Sequence, residues 1–323
     1  MFAPNSGPDY VGNYEGKGEF SAIERLRKML PGPPAGEVWI GDDAAFVGPA
    51  SLLLSTDLSV AGVHADLHLV GIGDFGWKCV AAAVSDIAAM GGLPEHLLVA
   101  VAAPPETDLV SLYQGVRDAA QAHGCYVVGG DLSTSPVLVS AVTVTGRLRG
   151  GGSPVLRSGA SPGDSLFVTG TLGASAAGLR LLREKSLRQP ELDPADALLV
   201  KAHARPVARI AAGERARFAG ASAMIDVSDG FAADLGRLAE SSGVGFRLDS
   251  LPISAGATRA EALGGGEDYE LIIATPSPRF LVEAFVEDGL DPPLRVGECT
   301  PNPSERLFDG EELGPTGWEH PFG

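Results

Sequence analysis

The chain has 323 residues, of which 45% are hydrophobic and 20% charged, a composition that excludes a largely disordered protein, and its length predicts two domains. Its formal net charge of -17 excludes nucleic acid and anionic membranes as expected partners, because both are bound through basic patches. Since no apolar run is long enough to cross a bilayer and the N-terminal residues lack a signal-peptide core, we expect a cytoplasmic protein.

The first half of the chain alternates strand and helix patterns, which predicts an α/β domain over residues 18–150 after a flexible tail over residues 1–17. Residues 20–30 follow the tail with the period of a short amphipathic helix. The further predicted elements are strands over residues 38–40, 52–55, 97–102, 126–128 and 137–148, and helices over residues 75–90 and 108–123.

A linker is predicted at Gly150-Gly151-Gly152-Ser153-Pro154, because glycine tolerates any backbone angle and nothing in this run can pack. We therefore expect a second α/β domain over residues 151–323. Its predicted elements are strands over residues 165–169, 223–225, 245–248 and 269–274, helices over residues 174–184 and 231–241, and a long helical region over residues 193–218.

Aspartates stand where several predicted strands end. Ligands of open α/β sheets gather at the carboxyl ends of strands, so these acids are expected to converge on one site. Asp86 instead lies inside an apolar helix, where an unpaired charge is costly, so it is expected to have a partner. The acids that follow a predicted strand are Asp42, Asp43, Asp57, Asp131, Asp226 and Asp229.

These aspartates have two interpretations. Each one taken singly is also a common turn former or helix N-cap. Together they are too many to be neutralised as ion pairs by the few lysines and arginines nearby in the sequence. Clustered carboxylates that are not neutralised repel one another at low dielectric. Oxygen ligands without a neighbouring histidine or cysteine pair favour Mg²⁺ or Mn²⁺ over zinc. The sequence therefore predicts a divalent-cation site.

A set of motifs follows in order along nearly the whole chain, from Gly18 to about Trp318. It comprises Gly18-Glu19-Phe20, Gly41-Asp42-Asp43-Ala44-Ala45, Ser55-Thr56-Asp57, Gly62-Val63-His64, Trp77-Lys78, Ser85-Asp86-Ile87-Ala88-Ala89-Met90-Gly91, Gly129-Gly130-Asp131, Arg157-Ser158-Gly159-Ala160, Val168-Thr169-Gly170-Thr171-Leu172-Gly173, Asp226-Val227-Ser228-Asp229-Gly230 and Gly265-Gly266-Glu267-Asp268-Tyr269-Glu270-Leu271. The set resembles the thiamine-monophosphate kinase family of the aminoimidazole ribonucleotide synthetase-like superfamily. The resemblance implies two α/β domains with mixed sheets, in which the N-terminal domain forms a homodimer through its sheet and the C-terminal domain closes the cleft.

The resemblance also implies that ATP and several Mg²⁺ ions are used to phosphorylate thiamine monophosphate. The implied metal ligands are Asp43, Ser55, Thr56, Asp57, Asp86, Asp131, Asp226 and Asp229. The implied ATP contacts are Tyr113, Gly130, Asp131, Arg157 and Ser228, and the implied thiamine monophosphate contacts are His64, Glu267 and Trp318. The chain departs from the family at Leu132-Ser133-Thr134-Ser135-Pro136, which lacks the arginine usual there.

The acceptor of such a kinase needs little activation. A phosphate monoester with a second pKa of about 6 is mostly a dianion at neutral pH, so we expect direct in-line transfer without a covalent nucleophile or general base. Two other functions stay open: a sister ATP-dependent synthetase, and a nucleotide-binding maturation partner without turnover. Selenophosphate synthesis would need a reactive N-terminal cysteine, whereas the first cysteine is Cys79, and the maturation factor would need a C-terminal cysteine, whereas the sequence ends at Gly323.

Overall fold

The first half of the chain forms a five-stranded mixed sheet with helices on one face. The computed structural model describes residues 33, 35–39, 41–48, 52–185, 193–314 and 316–321. The strands are ordered β1-β2-β5-β3-β4, of which β3 and β4 are parallel and the other neighbours antiparallel. The elements are β1 (Ala45–Val47), β2 (Leu52–Val60), α1 (Ile72–Ala89), β3 (Leu93–Ala103), α2 (Leu109–Ala122), β4 (Tyr126–Thr134) and β5 (Val139–Arg147).

The second half forms a seven-stranded mixed sheet in the order β12-β11-β8-β10-β6-β9-β7, in which β8 and β11 are parallel. Its strands are β6 (Ser165–Val168), β7 (Ala223–Asp226), β8 (Gly245–Leu248), β9 (Leu271–Thr275), β10 (Leu294–Thr300), β11 (Arg306–Phe308) and β12 (Glu311–Glu312). Its helices are α3 (Ala174–Lys185), α4 (Pro194–Ala204), α5 (Ile210–Phe218), α6 (Phe231–Ser242), α7 (Arg259–Gly264) and α8 (Pro278–Glu287).

Helix α1 is the element that joins the two sheets. It packs on β2, β3 and β5 on one side and on α5 and β7 on the other, within one compact unit over Pro33–Trp318. A helix enclosed in this way must be apolar around most of its circumference, and Phe75, Val80, Val84 and Ile87 of α1 are all buried. Any polar side chain on α1 therefore needs a partner from one of the two halves.

The predicted α/β class with mixed sheets is confirmed, and several predicted boundaries are wrong. The helical region over residues 193–218 is two helices, α4 and α5, separated at Arg205 and Pro206, because proline supplies no N–H to continue the first helix. The predicted strand over residues 38–40 reduces to a bridge between Val38 and Phe46 in the part of it that is described. Elements β1, α7, α8 and β10 to β12 were not predicted.

Strands β2 and β4 continue past Asp57 and Asp131, so these two acids lie inside strands and not at strand ends as predicted. The predicted tail over residues 1–17 and the predicted helix over residues 20–30 lie outside the described residues. Among the helices described, none has both the length and the apolar character to cross a membrane.

Candidate active site

Helix α1 places three polar side chains where the two halves of the chain meet. Lys78 and Ser85 are two turns apart and so share one face of the helix. The Nζ of Lys78 donates to Oε2 of Glu267 at 2.8 Å, and the Oγ of Ser85 donates to Oδ2 of Asp226 at 2.5 Å. Asp86, one residue further round the helix, accepts a hydrogen bond from Ser55 of β2. One helix thus contacts two acids of the second half and a serine of β2, and Asp86 has the partner that its apolar surroundings predicted.

Three carboxylates converge at this point. One carboxylate oxygen from each of Asp43, Asp86 and Asp226 lies within 4.8 Å of the others. At this separation two negative charges repel by about 3 kcal/mol at an effective dielectric constant of about 20. Burial, reinforced by the neighbouring carboxylates, raises the pKa of Asp86 and of Asp226 well above the usual value of 3.8. The cluster therefore favours protons or a bound cation.

Arg157 compensates part of this charge. Its Nε and Nη2 donate to the two carboxylate oxygens of Asp43, each at 2.9 Å, and the Asp43 side chain is fully buried. The backbone N–H of Arg157 also donates to Asp42, whose pKa is raised to about 7 by burial and by the charge of Asp43. In the described part of the chain, neither Asp86 nor Asp226 forms an ion pair with a lysine or arginine.

The segment Asp226–Gly230 is held by a second buried aspartate. Oδ2 of Asp234, in the first turn of α6, accepts hydrogen bonds from the backbone N–H groups of residues 228, 229 and 230, each at 3.1 Å. Arg237 contacts Asp234 and donates to Oδ2 of Asp229 at 2.6 Å. Together with Arg157 and Lys78, Arg237 corrects the prediction that few basic side chains lie among these acids. An acid in the first turn after the motif was a signal that the sequence analysis missed.

The predicted acceptor contacts Glu267 and Trp318 both attach to this segment. The backbone N–H of Glu267 donates to the carbonyl oxygen of Ser228 at 2.8 Å, and the backbone N–H of Trp318 donates to that of Asp229 at 2.9 Å. Glu267 and Trp318 are far from Ser228 in the sequence. The structure therefore brings together four residues that the family resemblance assigned to ATP, metal and acceptor.

Asp57 and His64 lie on the same side of the site. Burial raises the pKa of the Asp57 carboxyl, His64 opposes that rise, and the charges of Glu267 and Asp229 add to it. The Nδ1 of His64 accepts the backbone N–H of Val60 at 3.0 Å. With Nδ1 accepting, the N–H of the His64 ring is assigned to Nε2. The charges of Glu267 and Asp229 thus act on Asp57 of β2 from the second half of the chain.

Two predicted ATP contacts meet at Val99 of β3. The Oη of Tyr113 donates to the Val99 carbonyl oxygen at 3.2 Å. A Cβ at Gly130 would lie 1.9 Å from the same oxygen, so β4 can approach β3 this closely only with glycine there. Tyr113 also lines a mainly apolar cavity of about 380 Å³, together with Cys125 and Tyr126.

Two predicted metal ligands lie apart from the buried cluster. Successive strand residues point to opposite faces, and the faces of β2 differ accordingly: Ser55 contacts Asp86, whereas the Thr56 hydroxyl pairs with Thr143 at 3.1 Å. Asp131 is in register with the exposed Ala100 and is itself exposed. The side chains of Thr56 and Asp131 therefore belong to the open face of the first sheet, and the structure does not bring them to the other ligands.

The two halves of the chain match two family models. Residues 41–148 match the AIR synthase related protein, N-terminal domain, and residues 161–310 match the AIR synthase related protein, C-terminal domain. The thiamine-monophosphate kinase of Aquifex aeolicus is 35% identical over 321 residues, covering 94% of this chain and 98% of that protein. The chain belongs to the thiamine-monophosphate kinase family. The resemblance found in the motifs is thereby confirmed.

Further members of the thiamine-monophosphate kinase family support the same assignment. The Bacillus subtilis thiamine-monophosphate kinase is 37% identical over 268 residues, covering 78% of this chain and 82% of that protein. A solved structure of AaThiL complexed with AMPPCP and TMP superposes with a TM-score of 0.81 at 34% identity, over 94% of this chain and 97% of that chain. The likeness therefore covers nearly the whole chain.

Proposed function

We propose that this protein transfers the γ-phosphoryl group of ATP to thiamine monophosphate, giving ADP and thiamine diphosphate. The observation that carries the proposal is the convergence of Asp43, Asp86 and Asp226, which come from both halves of a thiamine-monophosphate kinase family chain. The complex of the related AaThiL with AMPPCP and TMP supports the choice of substrates. We place the enzyme in the cytoplasm, where its co-substrate ATP is available.

The donor set fits Mg²⁺. The three clustered groups are all carboxylates, and the hydroxyls of Ser55 and Ser85 hydrogen-bond to two of them, so the ligands are the hard oxygens that Mg²⁺ prefers. When bound, Mg²⁺ would neutralise the phosphate oxygens and hold them in line. We propose Ser55, Thr56, Asp57, Asp131 and Asp229 as further ligands. Thr56 and Asp131 face the open side of the sheet, so they would serve a different ion from the buried cluster.

The side chains of this site have positioning roles and need not remove a proton. At neutral pH the acceptor phosphate is mostly a dianion, with a second pKa of about 6, and is already nucleophilic. Because Nδ1 of His64 accepts a backbone N–H, its Nε2–H is a donor for a phosphate oxygen and His64 is a poor nucleophile. We propose that Tyr113, Gly130, Arg157 and Ser228 contact ATP, with Arg157 shared between Asp43 and the phosphates.

We further propose a homodimer formed through the open face of the first sheet. Leu58, Leu98 and Val128 of three strands are all exposed in the single chain, by 50% to 58%. An apolar face of this kind is typical of an interface, and a second copy of the same sheet would cover it. We also propose that the boundary between the two domains lies at residue 150.

Acceptor-dependent ADP release by the purified protein tests the proposed reaction. Thiamine monophosphate, unphosphorylated thiamine, formylglycinamidine ribonucleotide and selenide are offered separately with ATP and Mg²⁺, and we expect release with thiamine monophosphate alone. Release with formylglycinamidine ribonucleotide or selenide would favour a sister synthetase, and release with unphosphorylated thiamine would contradict the proposed acceptor. Tight ATP binding without release for any acceptor would favour a nucleotide-binding partner. Asp86→Asn, which removes a proposed ligand, is the control for contaminating ATPase.

A further inference from the structure

Lys78 is a buried lysine whose ammonium group crosses from the first half of the chain to the second. Its side chain is 5% exposed and donates to the carbonyl oxygen of His203 at 3.2 Å and to Oε2 of Glu267 at 2.8 Å. A lysine is seldom buried unless it is paired. The metal cluster does not require Lys78, and its motif was noted in the sequence without a role.

Glu267 lies in a strained segment whose acidic side chains are each anchored. Glu267 and Tyr269 have φ values of 65° and 50°, which side-chain-bearing residues rarely adopt. Asp268 accepts backbone N–H groups from Gly173 and Ser175, and Glu270 is clamped by Arg209, so these anchors come from the second half of the chain itself. Only the side chain of Glu267, among these described acids, is oriented by the first half.

The neighbouring His203 does not share the charge of Glu267. Its Nδ1 lies 3.7 Å from Oε2 of Glu267 but only 3.1 Å from the Ser175 hydroxyl. Burial, with Lys78 nearby, lowers the pKa of His203 to about 3, so the ring is neutral at physiological pH. Lys78 is therefore the cationic partner of Glu267 in the described structure.

We propose that Lys78 is a positioning residue for the acceptor substrate: its ammonium group occupies Oε2 of Glu267 and cancels that carboxylate's charge, leaving Oε1 to accept a hydrogen bond from an N–H donor of thiamine monophosphate. The inference rests on the proposed function. In this arrangement Glu267 recognises the acceptor through a directional hydrogen bond and not through its charge, since a neutral ion pair attracts the cationic thiazolium only weakly. It also explains why a lysine from α1 reaches the acceptor side of the site.

The test separates the two substrates kinetically. Lys78→Met is expected to raise the KM for thiamine monophosphate by about tenfold, with the KM for ATP changed by less than about twofold. Lys78→Arg, which keeps a donor, is expected to retain more acceptor affinity than Lys78→Met. Arg205→Met is the matched control. Arg205 pairs with Asp74 of α1 at 2.5 Å and lies two positions from His203, which Lys78 also contacts, but Arg205 does not touch Glu267.

A double-mutant cycle with Glu267→Gln tests whether Lys78 acts through Glu267. The double variant is expected to bind the acceptor no worse than Glu267→Gln alone, because the two changes remove one interaction. It leaves no unpaired carboxylate, so it also supplies the comparison if thermal unfolding shows that Lys78→Met alone is not folded.

Three results would overturn the inference. They are equal rises in both KM values for Lys78→Met, an acceptor loss of the same size in Arg205→Met, and a double variant several-fold weaker than Glu267→Gln. A wild-type protein that shows no ADP release with thiamine monophosphate would instead overturn the proposed function, and this inference with it. Because wild-type release is measured first on the same preparation, the two failures are distinguishable.

Discussion

Asp226→Asn is expected to stabilise the metal-free protein while it weakens the response to Mg²⁺. Asp226 has two carboxylate neighbours with oxygens within 4.8 Å, and Arg157 offsets part of the repulsion. At a pH above its raised folded pKa, where Asp226 is ionised, removing its charge should therefore relieve about 3 kcal/mol at an effective dielectric constant of about 20. Asparagine keeps the shape of the side chain, and its carbonyl oxygen can still accept from Ser85. For a chain of this size the gain corresponds to a rise in Tm on the order of 5 °C.

Thermal unfolding in EDTA and in excess Mg²⁺ measures the effect. Asp249→Asn is the matched control, because Asp249 is 57% exposed and pairs with Arg295 at the surface, where a salt bridge contributes less than about 1 kcal/mol. We expect Asp226→Asn to melt above the wild type in EDTA and to gain less from Mg²⁺. An Asp226→Asn variant that melts below the wild type in EDTA, or that gains as much from Mg²⁺, would refute the reasoning.

The stability difference between Asp226→Asn and the wild type in EDTA is expected to change with pH in one direction. Burial and the charge of Asp43 raise the pKa of Asp226 above its usual 3.8, so in the metal-free protein the folded state holds a proton that the unfolded state releases. Below a pH of about 4 the carboxyl is protonated in both states, and wild type and variant should be equally stable. As the pH rises from there toward the raised folded pKa, the wild type loses stability relative to Asp226→Asn. A stability difference between Asp226→Asn and the wild type that narrows with rising pH would contradict a raised pKa for Asp226.

Four further results are expected. Asp57→Asn should lower kcat by at least about 100-fold with little loss of Tm in EDTA, and near-normal turnover at limiting Mg²⁺ would exclude it as a ligand. Trp318→Ala should weaken thiamine monophosphate binding by about fivefold in calorimetry and leave ATP binding nearly unchanged, since stacking acts on a ring; equal losses would indicate a structural role. The wild type should sediment as a dimer and Leu98→Asp as a monomer, whereas a monomeric wild type at micromolar concentration would count against the open-face interface. Transfer from ATP with a chiral γ-phosphorus should invert the configuration, and retention would require a phosphoenzyme.

Sequence by itself determined the features that depend on local order and residue type. Strand and helix periods predicted the α/β class, and the apolar run of α1 showed that Asp86 needed a partner before any contact was known. The motifs identified the family, and the aspartates without neighbouring histidines indicated an oxygen-ligated cation. The division of 193–218 into two helices was also visible in principle, because Pro206 stands at the break.

Only the tertiary structure decided which side chains meet. Asp43, Asp86 and Asp226 lie on different elements, and Lys78 and Glu267 are 189 positions apart, so no local pattern can pair them. Ser55 and Thr56 point to opposite faces of β2, and only one of these faces is covered by α1. The extent of β2 and the face that α1 covers cannot be read from the propensities of single residues. Register and the packing of one enclosed helix against two sheets are non-local properties of the chain. They determine the site because the acids that converge there, and the groups that hydrogen-bond to them, come from distant segments.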